Sequence, residues 1–540
     1  MTSFMEPTRE YDFVIVGAGS AGCVLAEKLS QDGSNTVAVV EAGGPDTSLL
    51  VKIPAGAMRA AGNPDFDWCY MSQPDPTRNG RTDAWPRGKV VGGSSSTNGQ
   101  LWVRGQSEDY DNWADAGNSG WAYEDVLPYF KEIENYTGPD GDNIRGKGGP
   151  LHIEPLRKPH RLSSAFVEAA SQTGIPANPD YNGVSQEGAA IVQITQKRGW
   201  RQSSAKAYLH RALRRKNVDL ITGALVSAID LEGKIARGIT YSCDGKQASL
   251  RARREVILSA GAIGSPQLLM LSGIGPAQHL KDVGVEVVED VPGVGQNLQE
   301  HLGVWIVQQV VDHVRTVNQD YNPIGFVKSG LRFLIDGTGP AASPPAQATA
   351  FVRSSVSAPS PDIQVLFTPI GYTIEGQDVV PMATPAMMAV PTVCHPDSRG
   401  QIKLAKPTIE TAPLILPELF SDERDVQRLR AACEWVRNMF AAPAMQPFAK
   451  GETLPGPAVQ SDEEWRELFQ AAAGPVFHVT STCKMGQTAE CVVGADLRVK
   501  GIVNLRVADA SIMPRITSGN TNAPSMMIGA KAADLILQSE

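Results

Sequence analysis

The chain has 540 residues, 42% hydrophobic and 20% charged, with 52 glycines and 38 prolines but no periodic tract of either. Collagen-like, coiled-coil and disordered chains are thereby excluded, and the length implies two or more domains or one large composite unit. Net charge is −9, from 49 Lys+Arg against 58 Asp+Glu, so no basic face for nucleic acid is expected. The densest basic run, residues 210–216, is short and reads as the solvated face of a helix.

Seven cysteines (Cys23, Cys69, Cys243, Cys394, Cys433, Cys483, Cys491) are odd in number, scattered and without C-x-x-C spacing. Neither a metal site nor a disulfide framework is expected, and a reducing compartment fits best. The first twelve residues are polar and acidic, and the first apolar run, 13–16, leads into glycines rather than a cleavage site. No stretch approaches the roughly 20 apolar residues of a membrane span. A soluble, cytoplasmic protein is expected.

In chain order, residues 12–16 (DFVIV) read as a buried strand, residues 23–30 as a helix, and residues 36–40 as a second strand that ends in Glu41. Strand-like runs follow at 218–221, 224–230, 238–241 and 255–258. From 323 to 361 Pro, Gly, Ser and Ala dominate, and further strand-like segments occupy 362–367 and 400–404. The change of texture marks a second domain, with a return to the first near the C-terminus. The expected division is 10–310 with 485–540 for one domain and 311–484 for the other.

Between the first strand and its helix stands Gly17-Ala18-Gly19-Ser20-Ala21-Gly22. In this G-x-G-x-x-G pattern the first glycine allows the tight turn. The second lets the backbone approach a pyrophosphate, and the third lets helix and strand pack closely. The helix N-terminus offers free N–H groups to the phosphates. Glu41, 19 residues past Gly22, stands where an acid binds ribose hydroxyls, and with no adjacent arginine it disfavours a 2′-phosphate. The pattern predicts ADP recognition and leaves NAD and FAD both open.

Longer motifs separate the two. Gly88-Lys89-Val90-Val91-Gly92-Gly93-Ser94-Ser95-Ser96-Thr97-Asn98-Gly99 resembles the first signature of the glucose–methanol–choline (GMC) family of FAD-dependent oxidoreductases. Gly261-Ala262-Ile263-Gly264-Ser265-Pro266-Gln267-Leu268-Leu269-Met270-Leu271-Ser272-Gly273-Ile274-Gly275 resembles the second. Val294-Gly295-Gln296-Asn297-Leu298, His395-Pro396, Phe477-His478, Asp509-Ala510-Ser511 and the run Ser518-Gly519-Asn520-Thr521-Asn522-Ala523-Pro524 are similar to later family segments. The resemblance spans nearly the whole chain in order.

It implies an α/β fold, with a Rossmann-like FAD-binding domain built from discontinuous segments and a substrate domain with an antiparallel sheet. It assigns the cofactor to Gly17, Gly19, Ser20, Ala21, Gly22, Glu41, Ala42, Gly92, Gly93, Ser94, Ser95, Asn98, Gly99, Val226, Asp509, Ala510, Asn522, Ala523 and Pro524. Thr97 stands where some relatives carry a histidine bonded to the flavin, so non-covalent FAD is expected. Most relatives without that bond carry an aliphatic residue there, so Thr97 departs from them as well.

The implied reaction oxidises a primary or secondary alcohol to the aldehyde or ketone: a base takes the hydroxyl proton while a hydride leaves the same carbon for flavin N5. His478 matches the family's base, and a neutral imidazole suits the role. Asn522 is read as the second member of the active-site pair, with an amide that orients the alcohol oxygen. It reads equally as an N-cap before a helix with an early proline. The run 476–486 departs from relatives that have proline after this histidine and glycine near Ser481.

Cys483 and His395 are read as structural. Trp68, Trp85 and Trp102 are core residues by default that could line a cavity, and residues 526–528 belong to the core of the last helix. Dioxygen or another electron acceptor would reoxidise the flavin. The alternative on the same scaffold is a hydroxynitrile lyase with non-redox FAD; a flavin-binding protein without catalysis is disfavoured by the intact His478 and Asn522. A nicotinamide enzyme is disfavoured by the flavin motifs.

Overall fold

The computed structural model describes residues 9–375 and 378–539. The chain is organised around two sheets, as the α/β reading requires. In the first, Arg9–Val16 lies between Val37–Val40 and Lys246–Leu258, all parallel, with Val218–Ile221 parallel outside Val37–Val40. The last four residues of Arg9–Val16 and all of Val37–Val40 are buried. That is the continuous apolar run expected of parallel strands covered on both faces. Ala224–Glu232, Ile235–Cys243 and Lys246–Leu258 extend the sheet as an antiparallel meander. Asp244 and Gly245, at φ 51° and 74°, make the two-residue turn that matches its twist. Leu505–Val507 arrives from the far end of the chain and pairs parallel with residues 256–258.

The helix after the glycine turn runs over Ser20–Leu29, three residues ahead of the expected start. Gly22 therefore sits inside its first turn, where a Cβ would collide with the Gly17 carbonyl oxygen. The C-terminal helix Asn522–Gln538 lies against it, and a Cβ at Gly529 would stand 2.6 Å from the Ala21 oxygen. Residues 526–528 are fully buried there.

The second sheet is antiparallel throughout, in the order Ala449–Leu454, Ile306–Val310, Ala386–Val393, Ile363–Thr368, Ala348–Val352, Gly188–Ile191. Leu302–Gly303 joins Ala386–Val393 to Gly474–Pro475 at one corner. The helix Glu423–Ala441 packs across this sheet and shares its core with Phe166, Phe367, Met387, Leu429 and Trp465. Three of these strands thus come from before residue 311. The Pro/Gly-rich stretch is more ordered than its composition suggests. It contains Pro323–Asp336, a helix with Asn322 as N-cap, proline at N1 and Gly337 at φ 64° past its end, and the fully buried strand Ala348–Val352.

One buried ionic cluster pins the segment that leads to the cavity described next. Arg104 and Arg145 share the Glu134 carboxylate, with Nη2–Oε2 2.5 Å and Nε–Oε2 3.0 Å, all three side chains fully buried. Trp102 Nε1 donates to the same carboxylate at 2.6 Å. Burial alone would raise the Glu134 pKa, but the two guanidiniums hold it down at about 2. The carboxylate's contribution to stability is therefore complete above its ordinary value of 4.5 and is lost as pH falls toward 2. Glu134→Leu should cost about 3–5 kcal/mol, because it strands two buried cations. Urea unfolding at neutral pH measures this, and an unchanged midpoint would contradict it.

Candidate active site

A cavity of about 550 Å³ runs between the two sheets, lined at one end by Glu41 and the glycine turn and at the other by His478 and Trp305. Its first end is a cradle for a phosphate-bearing ligand. Gly17 has φ 102°, and a Cβ there would stand 2.5 Å from the Ser259 oxygen, so the turn must be glycine for the fold's own sake. Gly19 differs. A Cβ there would meet only the Ser259 oxygen, at 3.9 Å, so the space beside it is left to a ligand. The helices Ser20–Leu29, Gly261–Leu271 and Asn522–Gln538 all begin at this cavity with no side-chain cap. Three sets of first-turn backbone and dipole ends thus converge on one cavity, a setting that favours an anionic ligand.

Glu41 is buried, and its two oxygens accept from Ala18 N at 2.9 Å and Gly43 N at 2.8 Å. Burial pushes its pKa up to about 7, with those bonds and Lys89 pulling the other way. Each oxygen keeps a lone pair that a ribose hydroxyl can use. Gly92 and Gly93, at φ 93° and 52°, fold the second glycine loop against the first, where a Cβ at Gly93 would stand 2.8 Å from Gly19 Cα. Asp509 braces this floor by accepting from Gly261 N at 2.8 Å and Ser265 Oγ at 2.5 Å. The residues present fit a flavin dinucleotide: open backbone at the phosphates, an acid at the ribose and a cavity long enough to continue to a second site.

Most of the sequence-derived cofactor residues line this cavity: Gly17, Gly19, Ser20, Ala21, Glu41, Ala42, Gly93, Ser94, Asn98, Gly99, Val226, Asp509, Ala510 and Asn522. Gly22, Gly92, Ser95, Ala523 and Pro524 are not in its lining. Ser95 Oγ instead accepts from Ser204 N at 3.0 Å and donates to the Gly92 oxygen at 2.6 Å. Trp68 lines the cavity, while Trp85 and Trp102 are core. Cys483 and His395 are structural, as read: Cys483 is buried, and His395 Nε2 binds Asp109 at 2.7 Å.

At the far end the pairing expected of Asn522 is made by Asn520. Asn520 Nδ2 lies 3.0 Å from His478 Nε2. Asn522 turns away, with Oδ1 accepting from Ser20 Oγ at 2.8 Å and Nδ2 near the Met526 sulfur at 3.9 Å. Nor is Asn522 the N-cap, since the helix starts on it and Thr521 holds the cap position. The helix start separates the two: Asn520 precedes the Thr521 cap and meets His478, whereas Asn522 is the first helical residue and meets Ser20. Gln364 Nε2 donates to Asn520 Oδ1 at 3.2 Å and so directs the amide N–H toward His478.

His478 Nδ1 faces His301 Nδ1 at 3.0 Å, with the rings edge to face. Asn520 Nδ2 can only donate to His478 Nε2, so His478 carries its proton on Nδ1 and points it at His301 Nδ1, which leaves the His301 proton on Nε2. His301 Nδ1 then accepts from His478 Nδ1–H, and the His478 Nε2 lone pair, turned to the cavity, accepts from Asn520 Nδ2. Burial, then the neighbouring His301 and Arg87, push the His478 pKa well below 6.5. Burial also takes His301 down to about 3. The buried Glu300 fixes the backbone by accepting from His478 N at 2.6 Å and His301 N at 2.9 Å. Phe477 holds φ 72°, a strained value for an aromatic residue, with its carbonyl bonded to Arg87.

Comparison with known proteins now bears on this geometry. Residues 11–303 match the N-terminal and residues 396–529 the C-terminal GMC oxidoreductase sequence profile. The chain belongs to the GMC oxidoreductase family. It is 43% identical over 530 residues to the oxygen-dependent choline dehydrogenase of Brucella anthropi, covering 98% of this chain and 96% of that one. It is 41% identical to the mitochondrial choline dehydrogenase of Homo sapiens, covering 98% and 90%. The solved pyridoxine 4-oxidase from Mesorbium loti superposes with TM-score 0.88 at 32% identity, covering 97% and 98%. This GMC oxidoreductase is an FAD-dependent enzyme that oxidises alcohols at CH–OH. The lyase alternative has no support among these relatives.

Gly19→Val should leave the fold intact, because the Cβ it adds meets only the Ser259 oxygen, at 3.9 Å. It should yield protein with less than about a tenth of the wild-type flavin absorbance. A wild-type flavin-to-protein ratio would remove the phosphates from this turn.

Proposed function

We propose that this enzyme oxidises a neutral alcohol with an apolar body, with His478 as base, Asn520 as the oxygen-holding amide and FAD held without a covalent bond. The observation that carries this reading is the chain from Gln364 through Asn520 and His478 to His301 at the end of the cavity. It leaves one unprotonated nitrogen beside one amide donor. An entering hydroxyl can give its proton to His478 Nε2 while an Asn520 N–H turns onto the alcohol oxygen. His301 accepts from Nδ1 and keeps the imidazole in that tautomer. Bound FAD supplies a two-electron acceptor for the hydride, to be relieved by dioxygen or another acceptor. Thr97, on the cavity wall, offers no imidazole to a flavin methyl group, which supports non-covalent binding.

The substrate class follows from the wall. Trp305, Leu366, Val390, Val476 and Phe477 line the cavity near His478, and the space beside Gly303 is already filled by Val476 and Val390 side chains. The cavity's carboxylates are committed elsewhere. Asp67 accepts from Gly62, Cys69 and Arg87 N–H groups, and Asp509 and Glu41 hold the cradle. Near His478 the Arg87 cation faces Glu300, a buried carboxyl that is outside the cavity lining and accepts from the His478 and His301 N–H groups. A quaternary ammonium such as choline, which the relatives oxidise by name, finds no free carboxylate among the described residues that line the cavity. We assign flavin binding to 10–310 with 485–540, and substrate binding to 311–484 together with the three earlier strands of the second sheet. The seven free cysteines support a reducing, cytoplasmic setting.

Anaerobic titration of the yellow protein with neutral aliphatic and aryl alcohols should bleach the flavin band, and choline should do so poorly. Bleaching by choline alone would overturn the substrate class. His478→Ala should keep its flavin and lose about 10²–10⁴-fold in kcat. Asn520→Ala should lose more activity than Asn522→Ala, and the reverse order would restore Asn522 to the reaction.

The low His478 pKa sets the pH dependence. A base neutral down to well below 6.5 loses activity only as pH falls through that low value, so the acid limb of kcat/KM lies below 6.5. Arg87→Met removes one of the cations that hold it down and should move that limb upward.

A further inference from the structure

The helix Pro323–Asp336 is built inside out. Gly325, Ser329 and Phe333 face the protein, whereas Ile324, Val327, Leu331, Leu334 and Ile335 are 68, 64, 56, 74 and 83% exposed. Their spacing puts all five on one stripe along the helix. Single exposed apolar residues are ordinary; a continuous stripe marks a contact surface. The helix is firmly seated. Ala341 N donates to Ser329 Oγ at 2.8 Å, and Phe333 meets Trp200 edge to face at 4.7 Å.

Cations crowd the elements around it. Lys328 and Arg332 rise from the helix itself, and Arg59 lies over the Phe326 ring at 5.7 Å. Lys197 belongs to the hairpin that carries Trp200. Lys52 ends the helix Leu49–Lys52, which packs on that hairpin, and Lys206 lies within reach of Lys52 and Lys197, with Asp46 offsetting them in part. Among the described residues none of these six makes a salt bridge. The acids close by are already engaged, Asp46 with His210 and Asp336 with Lys158. This concentration of positive charge stands in a chain whose net charge is −9.

We propose that this face docks on an anionic lipid bilayer. The stripe enters the boundary between headgroups and acyl chains, and the flanking lysines and arginines meet lipid phosphates, the division of labour of an interfacial helix. A second copy of this chain fits poorly. A two-fold contact sets the same patch against itself and so opposes its cations to one another. Ala57, Met58, Pro345 and Ala346, on segments beside this helix, line the cavity, and Met58 is 49% exposed. Docking therefore brings the cavity wall to the bilayer, where an apolar alcohol collects. That last consequence rests on the substrate class proposed above; the docking itself does not.

The test is co-sedimentation of the flavin-loaded enzyme with phosphatidylcholine vesicles, with and without about one-third phosphatidylglycerol. Wild type should pellet with the anionic vesicles, hardly with the neutral ones, and less in 0.5 M salt. Leu331→Glu/Ile335→Glu should lower the partition coefficient more than about tenfold. Lys328→Glu/Arg332→Glu should lower it more than about 25-fold, from about 1 kcal/mol per basic residue. All four positions are exposed, so flavin content and alcohol oxidation should stay at wild type. Failure to pellet with anionic vesicles, or pelleting indifferent to both variants, would overturn the proposal. So would a wild-type dimer in sedimentation equilibrium that Leu331→Glu/Ile335→Glu splits, or binding to polyglutamate without binding to vesicles.

Discussion

Two imidazoles that meet Nδ1 to Nδ1 at 3.0 Å share one proton, and the chemistry of the cavity depends on which ring holds it. Were it on His301, His478 would present N–H to the cavity and could take nothing from an alcohol. The surrounding structure decides it from the cavity end: an amide steered by Gln364 donates to His478 Nε2, so the shared proton stays on His478 Nδ1. Glu300, accepting from both backbone N–H groups, keeps the two residues in step. The residues concerned come from both sheets and from the segment ahead of the last helix. The tautomer is therefore a property of how the sheets are joined.

The join depends on close backbone approach. Gly17 against Ser259, Gly93 against Gly19, and Gly529 against Ala21 leave no room for a Cβ at separations of 2.5–2.8 Å. These contacts bring three uncapped helix ends to one cavity, where each alone would be a weak anion site. The Glu134 cluster does comparable work nearby with charge. It trades a desolvation cost for fixed geometry in the stretch between Trp102 and Arg145.

The half of the site read from sequence is the half made of local patterns. A strand, a G-x-G-x-x-G turn and an acid at the end of the next strand are each written within 30 residues, and all stand where spacing predicts. The missed half is non-local. His301 and Gln364 carry no signature, because their meaning comes only from partners 177 and 156 positions away. Asn520 is overshadowed by Asn522, whose following alanine and proline look like a helix start; that the helix begins on Asn522 and turns its amide to Ser20 is invisible in the letters. The helix Pro323–Asp336 lay hidden in a Pro/Gly-rich stretch. Its pattern of large apolar residues is legible, but which face meets solvent depends on the tertiary packing of Ser329 and Phe333.

The first sheet is completed by the last part of the chain. Leu505–Val507 supplies a strand, Asp509 braces the cradle floor, and Asn522 bonds Ser20 across 502 positions. The glycine turn at residues 17–22 therefore has no opposing wall until residues 505–522 have folded onto it. A dinucleotide that binds the closed cradle and not the open turn shifts the folding equilibrium toward the closed sheet by mass action.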